Sequence, residues 1–308
     1  MPMLRDYIEN GINEIRILLL GGQVLLGFSY RPYFEPGFDR LSRDARIAQT
    51  LGVLVLTIAL IWLTSPAIYH QLADRGENTA RFQKFTTDIL DWGLLPLAIG
   101  LGLNGFVIVS FMQLPHASAY GVGVCVFALA FWYAFTWMHR DSSQSTKVRA
   151  KLLEEEIQQG KSGGTEIETK IKNLLVECRM VLPGVQALLG FQFTTFFMAG
   201  FEKVPRSSQL IHLAGLTATA IATVLIITPA AYHRIAEAGE DTEHFYQVGA
   251  NFLLSSIIFL GIGLAGDFVV ILRLMGMSLH SSVALGCAML GAAYAFWFGW
   301  GWWKRDAR

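Results

Sequence analysis

Two short strings carry most of the chemistry this chain can offer. They are Pro66-Ala67-Ile68-Tyr69-His70 and Pro229-Ala230-Ala231-Tyr232-His233. A proline inside a helix removes a backbone hydrogen bond and bends it. Histidine changes charge near neutral pH. Asp74 stands four residues after His70, and Glu237 four after His233. That spacing sets a carboxylate on the same helix face as each imidazole. One reading is a proton-responsive pair at the mouth of a pathway. The other is a helix end stabilised by a dipole-favoured cation and an anchoring tyrosine. Glu77 and Glu240 follow in a repeated Gly-Glu-x-Thr. Twin histidines also raise haem ligation, but these sit beside Gln71 and Arg234, at water, so the sequence reads as holding no cofactor and no metal.

Deeper in the apolar segments lie four more polar candidates. Asn104 and Asp267 occupy equivalent places near the ends of two segments. A carboxylate there suits a proton or cation relay, and an ion pair of Asp267 with Arg273 or His280 is the alternative. Gln23 and Gln186 follow Arg16 and Arg179 by seven residues, two helical turns deeper on the same face. An amide at that depth needs a partner, either across a helix interface or along a pathway. Gly160-Lys161-Ser162 lacks the upstream glycine and strand of a phosphate loop. No Ser-His-Asp, HExxH or paired-carboxylate arrangement is visible, so the chain reads as a non-enzyme. Cys125, Cys178 and Cys287 have no metal-binding spacing.

The elements that must position these residues follow from composition. The chain has 308 residues, 53% hydrophobic and 16% charged, with no net charge. Mean hydropathy is +0.43. Soluble domains carry roughly 25% charged residues. That excludes a soluble enzyme and a disordered chain, and no basic patch points to nucleic acid. Apolar segments run at about 16–34, 50–70, 88–111, 119–138, 179–199, 209–232, 248–272 and 281–303. Each is long enough to cross roughly 30 Å of hydrocarbon. Backbone groups in lipid must pair internally, and no barrel-like alternation is seen, so these are helices. The fold class is an all-α, polytopic integral membrane protein whose permanent partner is the lipid bilayer.

Sliding the chain by 163 residues aligns its halves without a gap over roughly 95 positions. Glu14, Arg16, Gly21, Gln23, Gly27 and Phe28 fall on Glu177, Arg179, Gly184, Gln186, Gly190 and Phe191. The Pro-Ala-x-Tyr-His strings and the Gly-Glu-x-Thr strings also coincide. Shared hydrophobicity would not match loops, so this is a tandem duplication. The expected units are a four-helix repeat over 1–140, a partly helical linker over 141–176 and a second four-helix repeat over 177–308. Four spans is an even number, so both repeats enter the membrane in the same direction. Placing both termini in the cytoplasm puts 17 of the 24 Lys and Arg residues there. Trp132, Trp137, Trp297, Trp300, Trp302 and Trp303 gather at one end of spans four and eight, as an interfacial belt does. No cleavable signal segment is expected at the start.

Pro229-Ala-Ala-Tyr-His-Arg234 and Leu182-Pro-Gly-Val-Gln-Ala-Leu-Leu-Gly-Phe191 resemble a bacterial family of small four-helix membrane proteins of unknown function. Some of its members are labelled sodium:proton antiporters. The first repeat departs from the pattern at Gln71, where the second has Arg234. The resemblance implies a fused pair of four-helix units in a bacterial inner membrane, and no site residues. Two functions follow as expectations. One is a proton- or cation-coupled transporter or channel. The other is a non-transporting scaffold or accessory subunit of a larger membrane complex, with lipid binding in its range. A homo-oligomer fits either.

Overall fold

A computed structural model describes residues 4–138, 154, 157 and 164–306. The helical reading of the linker between about 147 and 159 lies almost wholly outside the described residues. Among the described residues the fold is all-α, with eight helices long and apolar enough to cross a membrane. In chain order they are α1 (Leu4–Tyr30), α2 (Arg43–Leu72), α3 (Ala80–Phe111), α4 (Ala117–Met138), α5 (Ile167–Thr195), α6 (Arg206–Ile235), α7 (Glu243–Leu274) and α8 (Leu279–Arg305). All eight overlap the apolar segments; α1 and α5 start about three turns before theirs, and the others extend theirs by about two turns or less.

Local chemistry sets the boundaries. Ser42, Thr79, Thr242 and Ser278 each accept a hydrogen bond from the backbone N–H three residues on, capping α2, α3, α7 and α8. The repeated Gly-Glu-x-Thr is thereby explained. Gly76 and Gly239 have φ of +73° and +87°. Each closes the preceding helix by donating its N–H to the carbonyl of His70 or His233. The threonine then starts the next helix. Spans four and eight both contain a π-helical turn, at Ala130–Phe135 and Ala295–Gly299, and each opens with Ala-Phe-Trp. Such turns widen the helix by one residue and were not legible in the periodicity.

Helices α2 and α7 are the most buried, and α4 the least. The repeats meet along α1 and α5, with α8 covering part of α2. This contact is not symmetric. The Phe191 ring fills the place a side chain at Gly27 would occupy. The Gln23 amide does the same at Gly184, where an added Cβ would lie 1.2 Å from Oε1. The mirror-image positions Gly190 and Gly21 have nothing within 4 Å. So α1 uses one flank and α5 the opposite flank. The same residue, glutamine, is buried at 23 and exposed at 186.

Candidate functional site

Two buried polar clusters stand out, one near each end of the bundle. The first lies at the end that carries the described chain termini. His70 is fully buried and stacks on Phe82, with centroids 4.2 Å apart. Its Nδ1 is hydrogen-bonded to Glu177, also fully buried, on α5 of the other repeat. The Gln71 amide donates to Glu177 Oε2 at 2.6 Å, and the Tyr246 hydroxyl donates to Gln71 Oε1 at 2.8 Å. Among the described residues, no group meets His70 Nε2 with hydrogen-bond geometry.

Glu177 is thus the hydrogen-bonded carboxylate of His70, and the expected Asp74 acts on the ring through its charge alone. Helix α2 ends at Leu72, and the turn carries Asp74 toward Thr79 and Arg81, which donate to it at 3.0 and 3.3 Å. Tyr69 lies over Phe85 at 4.4 Å, with Arg81 against its ring. The twin site is open. His233 lies 3.2 Å from Asp241, and Tyr232 bonds His244 at 3.2 Å. Glu14, the counterpart of Glu177, is exposed. Gln71 departs from arginine where it must fit between Glu177 and Tyr246; Arg234 is exposed.

Glu77 holds the repeats together beside this cluster. Its Oε1 lies 2.6 Å from Lys170 Nζ, and Oε2 accepts from the Thr165 N–H at 2.7 Å. Burial opposes its charge, but the ammonium and that N–H outweigh burial and hold the carboxyl below its ordinary value. Its counterpart Glu240 is exposed.

The second cluster is at the far end. Asp267 is 4% exposed, and its Oδ2 accepts from Gln192 Nε2 at 2.8 Å. Its Oδ1 lies 3.2 Å from Nδ1 of His212, off the line of a hydrogen bond. His212 Nε2 meets the Gln192 carbonyl at 3.0 Å. Arg273 instead donates to the Met277 carbonyl at 2.6 Å, so the expected Arg273 or His280 partner is replaced by His212.

The counterparts of these three residues form the same bracket in the first repeat. Subtracting 163 turns Asp267, Gln192 and His212 into Asn104, Ser29 and Gln49. Ser29 Oγ donates to Asn104 Oδ1 at 3.0 Å, and Gln49 Nε2 donates to the Ser29 carbonyl at 2.7 Å. Asn104 Nδ2 donates to the Gly100 carbonyl at 2.8 Å. One bracket is neutral and the other ionisable.

Geometry constrains the protons of the ionisable bracket. A carbonyl only accepts, so His212 Nε2 carries a hydrogen. A neutral ring would then set an unprotonated Nδ1 3.2 Å from the Asp267 carboxylate. The contact is favourable only with a further proton, on Nδ1 or on the carboxyl. Between the two clusters lies Gln23, buried, with no partner for Oε1 among the described residues. It rests on Gly184, seven residues after Glu177 and eight before Gln192 on α5. Gln186 is exposed and joins neither cluster. Sequence reasoning missed His212 and Gln192 and placed Glu177 only at a helix end. The signal was present: in the 163-residue alignment, polar residues face polar residues at 29/192 and 49/212.

A family model described as "Family of unknown function (DUF6328)" matches residues 5–137 and again residues 164–301. No curated protein and no solved structure matches the chain. The chain belongs to this family, once through each half.

Proposed function

We propose that this tandem member of the DUF6328 family moves protons, alone or coupled to a cation, across a bacterial inner membrane, with both termini cytoplasmic. One observation carries the reading: the buried Asp267 carboxylate lies 3.2 Å from the buried His212 imidazole, a contact that an added proton would make favourable. Ionisable residues at membrane depth are costly, and their usual use is in ion and proton pathways. The His70–Glu177 pair offers a second such site. Glu177 and Gln192 are fifteen residues apart on α5, so the two sites are separated by about 22 Å along that helix. Gln23 stands about midway, its Oε1 without a partner among the described residues.

The path is closed in this conformation. The cavity at the far bracket, bounded by Tyr30, Phe34 and Val270, is at most about the size of one water. That close packing favours the second reading, a non-transporting subunit that uses the buried groups to fix one assembly. Proton flux into liposomes holding the purified chain separates the two. The transport reading expects flux above empty liposomes and its loss in Asp267→Asn with His212→Gln, a pair that replaces both ionisable groups by their neutral counterparts from the first repeat. Folded wild-type protein with no flux at any pH from about 5.5 to 8.5 overturns it.

A further inference from the structure

The contact between the repeats is head-to-tail. One flank of α1, carrying Gln23 and Gly27, receives the opposite flank of α5, carrying Glu177, Gly184 and Phe191. Because the repeats are copies, each also owns the flank it does not use. In the first repeat that flank shows Glu14 and Gly21, both exposed, while the exposed Phe28 packs edge-on against Phe191 in the internal contact. In the second it shows Gln186, Gly190, His233 and Arg234, of which only His233 is partly covered. A heterologous contact of this kind always leaves two complementary surfaces, one at each end.

We infer that copies of this chain join head to tail in the membrane, the free flank of the second repeat docking on the free flank of the first repeat of the next copy. The internal contact is the template. Where Glu177 meets His70 and Gln71, Glu14 of one copy meets His233 and Arg234 of the other, a charged match. Where Gln23 seats on Gly184, Gln186 seats on Gly21, whose surface is open. Where Trp297 Nε1 donates to the Ile61 carbonyl at 2.8 Å, Trp132 faces Val224, which is 66% exposed.

Lipid is the poorer occupant. Gln186 is an exposed amide nineteen residues into a 29-residue apolar helix, where hydrocarbon leaves it unpaired. Both repeats run in the same direction, so successive contacts rotate about the membrane normal, as the contacts of a ring do. The second copy thus brings Glu14 beside His233, which within its own chain meets Asp241 at 3.2 Å.

Cysteine crosslinking tests the direction of the contact. Cys125 and Cys287 are first replaced by serine, while buried Cys178 stays. Chains with Gly21→Cys are then mixed in lipid with chains carrying Gln186→Cys. A disulfide-linked species of twice 34.1 kDa is expected in the mixture and in neither variant alone. Crosslinking of Gly21→Cys alone would mean a face-to-face dimer and overturns the proposal, as does no crosslinking anywhere. Charge reversal is the second readout, by particle mass in nanodiscs. Glu14→Arg or Arg234→Glu weakens association at least about tenfold, and the double reversal restores it. A wild-type chain that stays single at every lipid dilution overturns the proposal too.

Discussion

Near the far ends of their spans the two repeats build one bracket from different groups. Asn104, Ser29 and Gln49 pair as neutral amides and a hydroxyl; Asp267, Gln192 and His212 place an acid against an imidazole. The side chain at 49 or 212 reaches the same backbone carbonyl, at 29 or 192, in both repeats. Structure alone therefore does not require charge here, because the first repeat folds without it. A buried charge pair is a weak source of stability. Its presence in one copy only is what makes the second bracket a functional candidate.

The comparison breaks most sharply on truncation. Asp267→Ala strands His212 in the core, and losing one partner of a buried pair costs about 3–5 kcal/mol. Asn104→Ala removes two neutral hydrogen bonds and costs about 1–3 kcal/mol. Unfolding in detergent measures both. Equal losses would show that Asp267 and His212 behave as neutral hydrogen-bonding groups, and the case for a stored proton would fall.

A second contrast concerns the helix flanks. Gly184→Ala drives a methyl into the Gln23 amide and should cost about 1–3 kcal/mol. Gly21→Ala, at the equivalent place with open space, should leave the isolated chain unchanged or stabilise it by up to about 1 kcal/mol. Thermal melts of the two variants side by side rank them. Equal behaviour would remove the asymmetry on which the head-to-tail contact rests.

Much of this architecture was legible in the residues. Helix length and hydropathy located all eight spans, because lipid leaves few ways to satisfy a backbone. The duplication was legible because loop motifs recur, and those motifs are now caps and turn glycines. The sites were less so. His70 was matched to Asp74 by sequence spacing, but the helix ends between them, and the partner Glu177 is 107 residues away. Gln23 and Gln186 are the same residue in the same motif, and only tertiary contact buries one of them. Asp267 was visible as an isolated carboxylate. Its partner His212 was not, since helix packing rather than spacing brings α6 against α7.

The smallest effect separates Glu77 from Glu240. Both follow the turn glycine, but only Glu77 meets Lys170 and the Thr165 N–H. Those contacts hold its carboxyl below the ordinary 4.5, even though burial opposes them. A carboxyl lower in the folded than in the unfolded chain adds stability above the unfolded value, and loses it as pH falls through the folded one. Glu77→Gln should therefore cost at most about 1 kcal/mol at neutral pH, since the pair is partly solvated. The variant and wild type should converge as the pH falls through the lowered Glu77 value. Glu240→Gln should track wild type throughout. If both variants track wild type in pH-dependent melts, the Glu77 contact contributes nothing to holding the repeats together.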